Sequence, residues 1–205
     1  MDIRQKSKNN QRRIGLTGGI ASGKTTITNY IRRHKNIPIL DADNLSRELI
    51  KPNTYGYKKI LDYFGNKIID NKNNSERAIN RKLLRKIIFK HPESKEWIEK
   101  LLHPLIKEKM IEECSQYKNN QTIVLVIPLL FEAKFEDICT EIWLVKCPKE
   151  LQKKRLITRD KISEKEAFES INLQFSFEEK RKFSDIILDN SDDKNKWIKT
   201  IKELL

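Results

Sequence analysis

The sequence predicts an α/β domain built on a five-stranded parallel sheet flanked by helices. Three observations carry this expectation. Short apolar runs at residues 14–17, 37–40, 122–127, 141–145 and 185–188 are largely continuous, not alternating, as strands buried on both faces are. Helical patterns separate these runs, and strands that alternate with helices form parallel sheets. Four of the six glycines, Gly15, Gly18, Gly19 and Gly23, fall within nine residues where the first strand meets the first helix. A chain that concentrates its few glycines there needs backbone, not side chains, in contact with a ligand.

Each element has its own signal. Residues 1–12 are polar and basic, with no apolar stretch, and are expected to be a flexible tail. The segment from Gly18 to Thr25 fits G-x-x-x-x-G-K-[ST], the phosphate-binding loop of P-loop NTPases. Its N–H groups can cradle phosphate oxygens, with the positive end of the following helix behind them. In that motif Lys24 reaches the β- and γ-phosphates, and the Thr25 hydroxyl ligates Mg²⁺. From Thr25 a helix places Ile27, Tyr30 and Ile31 on one face.

The second strand, 37–40, runs into Asp41-Ala-Asp43, and residues 44–50 read as a helix before Pro52. Residues 55–64 form another helix, closed by Gly65, and residues 81–89 an amphipathic one with Leu83, Leu84, Ile87 and Ile88 as its apolar face. Pro92 opens a long helix in which Trp97, Ile98, Leu101, Leu102, Leu105, Ile106, Met110 and Ile111 recur at helical spacing. His103-Pro104 is expected to kink it, because proline cannot donate to the preceding turn. Pro148 and Lys149 open a helix through Thr158, and residues 194–204 close the chain. Residues from about 50 to 117 thus read as entirely helical. They form an insertion over the sheet edge where α/β proteins bind ligands.

The 205 residues suffice for one large domain, or for a core with an inserted subdomain. No run of 18 apolar residues is present, so no membrane span is expected. The three cysteines, Cys114, Cys139 and Cys147, are odd in number and lack C-x-x-C spacing. Reduced thiols and a cytoplasmic location are expected. The net charge of +13 has two readings, an acidic partner or a biased composition. The even spread of the basic residues favours composition. No compact basic tract interleaved with aromatics suggests a nucleic-acid groove.

Several polar residues have chemistry to offer. A carboxylate at Asp41 or Asp43 could take the proton of an attacking hydroxyl or hold Mg²⁺ through water. By position alone Asp43 is as well suited to capping the next helix. The third strand ends Val126-Ile-Pro-Leu-Leu-Phe-Glu132, with Pro128 where a Walker B strand would carry Asp. Arg155 and Arg159 are four apart on one helical face. They read either as a lid over a triphosphate or as a solvated charged face. His103 has a structural reading beside any functional one, and Trp97, Trp143 and Trp197 read as core.

Together these segments resemble the dephospho-coenzyme A kinase family. The resemblance runs from about Ile14 to Asn190. It is carried by Leu16-Thr-Gly-Gly-Ile-Ala-Ser-Gly-Lys-Thr-Thr26, Leu40-Asp-Ala-Asp43, Leu101-Leu-His-Pro-Leu105, Ile127-Pro-Leu-Leu-Phe-Glu132, Arg155-Leu-Ile-Thr-Arg-Asp160, Glu178-Glu-Lys-Arg181 and Asp189-Asn190. It implies ATP-dependent phosphorylation of the 3′-hydroxyl of dephospho-coenzyme A, the last step of coenzyme A synthesis, with ATP and Mg²⁺. ATP would be bound by Gly18, Ala21, Ser22, Gly23, Lys24, Thr25 and Thr26, with Arg155, Arg159 and Asn190. Asp43, Lys24 and Arg155 would be catalytic, and Asp41, Arg81 and His103 would lie on the acceptor side.

The expected organisation is a tail at 1–12, a P-loop core at 13–50 and 118–205 with a helical lid at about 153–180, and an acceptor-binding insertion at 51–117. The expected partners are the two small substrates alone, with no nucleic acid and no membrane, for a monomer or weak homo-oligomer. Two departures stand out: the family often has Asp-Arg where this chain has Asn80-Arg81, and an Arg where it has Ser170. The rival readings are a nucleoside or nucleotide kinase of similar fold, and a basic nucleic-acid-binding ATPase.

Overall fold

The computed structural model describes residues 11–70 and 77–205. The first ten residues of the expected tail lie outside it. Gln11 and Arg12 do not belong to a flexible tail. Gln11 is buried and its Nε2 donates to Cys114 O at 3.0 Å. Arg12 pairs with Glu141, and its Nη1 donates to Leu204 O at 2.8 Å.

The chain divides into two compact units, Met1–Asp41 with Cys114–Leu205, and Ala42–Glu113. The first holds five strands: β1 Arg13–Gly18, β2 Ile39–Asp41, β3 Ile123–Val126, β4 Glu141–Lys146 and β5 Ile186–Asp189. Their order is β2-β3-β1-β4-β5 and every pairing is parallel. Leu16 lies opposite Val126 on one side and Trp143 on the other, and Asp41 opposite Val126. The helices are α1 Lys24–His34, α2 Ala42–Leu49, α3 Tyr55–Phe64, α4 Arg81–Lys90, α5 Pro92–Ser115, α6 Lys149–Asp160, α7 Glu164–Asn172, α8 Phe177–Arg181 and α9 Lys194–Leu204.

Alternate strand residues build one face of the sheet. Ile14, Leu16, Val124, Val126, Trp143, Val145 and Leu188 pack against Ile27 and Ile31 of α1 and Trp197 and Ile201 of α9. Each fully buried aliphatic side chain of this kind contributes about 1.5–3 kcal/mol. All four residues of β3 are buried, which is why the run reads as continuous apolar sequence. The chain leaves β1 toward one edge and β4 toward the other. The crevice at their carboxyl ends is therefore the switch point where open α/β sheets bind ligands.

The second unit has its own core of Ile50, Tyr57, Ile60, Phe64, Ile68, Ile79, Leu84 and Ile98. Trp97 borders it, stacked on Tyr63 with centroids 4.0 Å apart. Thr54 caps α3 by accepting from Tyr57 N at 3.2 Å, and Gly65, with φ +73°, closes it. Asn80 caps α4 by accepting from Leu83 N at 3.0 Å. Asp and Asn cap equally well, so Asn80 in place of Asp costs α4 nothing.

The unit is not entirely helical, contrary to the sequence pattern. Ile69 and Ile79 form an antiparallel bridge, flanked by Asp70 N to Ala78 O at 2.8 Å and Asn80 N to Ile68 O at 2.7 Å. β-Branched isoleucines favour that extended backbone. The unit also begins at Ala42, not at residue 51, because α2 packs on α3. α5 runs as one helix through Pro104.

Candidate functional site

β1 delivers the chain to Gly18 and α1 takes it up at Lys24. The loop between them turns on Ser22 N, which donates to Gly19 O at 3.1 Å. Ala21 and Gly23 adopt left-handed backbone, with φ +57° and +101°. A side chain at Gly23 would be strained by that φ, and its Cβ would lie 2.0 Å from Asn190 Nδ2. Lys24 folds back across the loop, its Nζ donating to Gly18 O at 2.8 Å and Gly19 O at 3.1 Å. Thr25 and Thr26 are exposed in the first turn of α1, at the positive end of the helix.

Two buried amides brace this loop. Asn190 Nδ2 donates to Ser22 O at 2.8 Å, and its Oδ1 accepts from Trp197 Nε1 at 3.1 Å. Gln152 Nε2 donates to Cys147 O at 2.8 Å, and its Oε1 lies 2.3 Å from where a Cβ on Gly19 would stand. Asn190 thus turns its amide to the backbone of the phosphate loop and to the Trp197 indole.

α6 brings the expected arginines to the same loop. Arg155 Nη1 approaches Ser22 O at 3.4 Å and Cys147 Sγ at 3.5 Å. A cavity of about 500 Å³ is lined by Ala21, Gly23, Leu151, Lys154, Arg155 and Arg159, among others. Arg159 makes a two-point pair with Asp160, at 2.7 and 2.9 Å. Their neighbours on α6 do other work. Lys153 bridges Glu150 and Glu164, and Gln152 is buried. Ser163 and Glu166 form a capping box that starts α7, and Ser170 donates back to Glu166 O at 2.8 Å. Burial raises the Cys147 thiol pKa despite the opposing Arg155 charge, and burial pushes Cys139 far up, so neither is a ready thiolate.

Asp41 ends β2, and Asp43 falls inside the first turn of α2, where a carboxylate complements the helix dipole. Within the helical unit Arg81 feels Asp43, Arg47 and Arg85. Burial and then Arg47 lower its pKa, and Asp43 opposes them. Arg81 lines a cavity of about 920 Å³ together with Arg47, Lys51, Arg77, Tyr57 and Ile50, among others. Tyr57 donates its hydroxyl to Arg77 O. His103 is half-buried and is not among the residues described as lining that cavity; burial lowers its pKa and Glu99 opposes the shift.

No group of three or more His, Cys, Asp or Glu side chains is disposed to hold a metal among the described residues. The exposed Thr25 hydroxyl in the first turn of α1 suits Mg²⁺, which keeps several waters and takes most remaining ligands from substrate phosphates. No described helix is long and apolar enough to cross a membrane.

The family model for dephospho-CoA kinase (CoaE) matches residues 12–196. The chain belongs to the dephospho-CoA kinase family. A dephospho-CoA kinase from Prochlorococcus marinus (strain MIT 9312) is 89% identical over 205 residues, covering 100% of both chains. Among solved structures, a dephospho-CoA kinase from Campylobacter jejuni is 29% identical with a TM-score of 0.67, covering 95% of this chain and 97% of its own. A Thermus thermophilus protein reaches a TM-score of 0.77 at 27% identity, covering 95% of this chain and 98% of its own.

Against this family background the sequence reading missed several residues at the site. Gln152 is absent from the expected site, yet it braces the phosphate loop. Arg47, Lys51 and Arg77 line the cavity with Arg81 but carry no motif. Arg47 could have been found as the residue four after Asp43, which shares its helix face. The pairing of Glu132 with Lys180 and the contact of Gln174 with Ile20 gave no signal, because the partners are far apart in sequence.

Proposed function

We propose that the chain transfers the γ-phosphoryl group of ATP to the 3′-hydroxyl of dephospho-coenzyme A, with its residues dividing the work as follows. The backbone from Gly18 to Thr26 holds the donor phosphates, and Lys24 turns from Gly18 O and Gly19 O to the β- and γ-phosphates. Arg155 and Arg159, which share a cavity with Ala21 and Gly23, neutralise charge on the transferring group. Mg²⁺ would be held by Thr25 and would supply positive charge to offset that of the phosphates.

Asp43 serves as base. The acceptor oxygen forms a bond to the γ-phosphorus, the bond to the β,γ-bridging oxygen breaks, and the hydroxyl proton passes to the Asp43 carboxylate as ADP leaves. Arg47, Lys51, Arg77 and Arg81 suit the diphosphate of dephospho-coenzyme A, and Tyr57 and Ile50 suit its less polar parts. Asp41 and His103 remain on the acceptor side in this reading. Cys114, Cys139 and Cys147 are buried thiols, which accords with a reducing cytoplasm.

The observation that carries the proposal is the pairing of a phosphate loop with arginine-lined space on α6, in a chain of this family. The test supplies Mg²⁺-ATP with dephospho-coenzyme A, AMP, a nucleoside or single-stranded RNA, and measures ADP and product mass. ADP and a phosphorylated product are expected with dephospho-coenzyme A alone. ADP release with AMP but not with dephospho-coenzyme A contradicts the proposal.

A further inference from the structure

The segment joining α7 to α8 is tied to the phosphate loop through a chain of contacts among residues outside the donor-binding set. Gln174 Oε1 accepts from Ile20 N at 2.7 Å, across 154 positions of sequence. Ile20 lies inside the loop, so this bond occupies its N–H and fixes the loop backbone just before Ala21. The next residue is fixed as well. Phe175 N donates to Glu132 Oε1 at 2.9 Å. That same carboxylate oxygen pairs with Lys180 Nζ at 2.9 Å, and Lys180 is 1% exposed.

Lys180 Nζ also reaches Pro128 O at 3.5 Å, and Thr17 Oγ1 donates to the same carbonyl at 3.3 Å. The end of β1, the segment after β3 and the α7–α8 connection therefore share one polar knot. Ser176 and Glu179 form a capping box that starts α8 immediately after it. A lysine ammonium so deeply buried persists only when paired, and an ion pair of this kind is well suited to fixing register.

We propose that Gln174 is a positioning residue for the phosphate loop, held in place by the pair that Glu132 makes with the buried Lys180. The pair seats residue 175, the seated backbone aims Gln174, and Gln174 takes up the Ile20 N–H and so holds the turn that leads into Ala21 and Ser22 in the shape that receives ATP. The proposal rests on the loop binding ATP and goes beyond it by assigning three residues outside the donor contacts. A loop amide misplaced by a fraction of an ångström costs phosphoryl transfer even though no ligand contact has been deleted.

The test uses the full chain with Gln174→Met, which keeps the volume and removes the acceptor. kcat/KM for ATP is expected to fall about 10- to 100-fold. KM for dephospho-coenzyme A should stay within about twofold and the thermal midpoint within about 2 °C, since Gln174 belongs to neither core. A merely structural residue would move the midpoint and both substrates together, and that result overturns the proposal, as does an unchanged kcat/KM for ATP.

Glu132→Leu/Lys180→Met replaces the pair by apolar volume, a change that buried pairs often tolerate. This double variant should show the same ATP-side loss, and adding Gln174→Met should lower it by no more than about threefold further, because the residues act in one chain. A folded double variant with native kcat/KM for ATP overturns the proposal, as does full additivity. If the double variant does not fold, Gln174→Met decides alone. Failure of the ATP-dependent reaction in the unaltered chain would instead count against the kinase reading.

Discussion

At the scale of single residues, position in the fold decides what each charged or polar group can do. Asn190 is expected among the ATP-binding residues. Its amide joins the Trp197 indole to the Ser22 carbonyl, and it crowds any side chain at Gly23, whose φ of +101° already disfavours one. The sequence shows why Gly23 is glycine only in part. The motif demands it, but the neighbour that crowds it stands just after β5, far along the chain. His103 illustrates the same point through its proton. Burial lowers its pKa below the usual 6.5. The folded chain therefore keeps His103 neutral while the unfolded chain protonates it, so the unfolded state binds more protons. The stability from this group is complete above about pH 6.5 and is lost as the pH falls toward the folded value. Thermal midpoints at pH 7.5 and 5.5 should differ more in the native chain than in His103→Gln. Equal differences would show that His103 carries no such linkage.

At the scale of elements, the strands and most helices were legible because their signals are local. Periodicity placed α3, from Tyr55 to Phe64, at its observed bounds, and the apolar runs marked all five strands. Elements whose identity depends on distant partners were not legible. The Ile69–Ile79 bridge interrupts a stretch read as helical, since pairing across residues 70–78 leaves no period in the sequence. α2 was assigned to the sheet side, although it packs on α3. The contacts of Glu132, Gln174 and Lys180 were invisible for the same reason. The helical unit has its own core, in which Ile60 is fully buried on α3. Ile60→Ala should destabilise it by about 2–5 kcal/mol through lost burial and the cavity left behind. Hydrogen exchange should show faster opening in α3 and α4 than in the native chain, while β1 and β4 keep their protection. Uniform acceleration across both units would show that they open together.

At the scale of the whole molecule, the chain divides into a sheet unit that carries the phosphate loop and a helical unit that carries the arginine-lined cavity. The glycine loop announced the donor from sequence alone. The acceptor was expected from the longer resemblance; the second cavity itself was not legible, because Arg47, Arg77 and Arg81 come together only through folding. The absence of an acid at Pro128 left Mg²⁺ to rely on Thr25, the phosphates and the carboxylates after β2. The account stands on Asp43 being the base that serves an ATP held by the loop. Its most direct test measures turnover and ATP affinity of Asp43→Asn, which keeps shape and removes the basic oxygen. Turnover is expected to fall by about 10²–10⁴ with ATP binding intact. A near-normal rate would contradict the account and return Asp43 to the stabilisation of the α2 N-terminus.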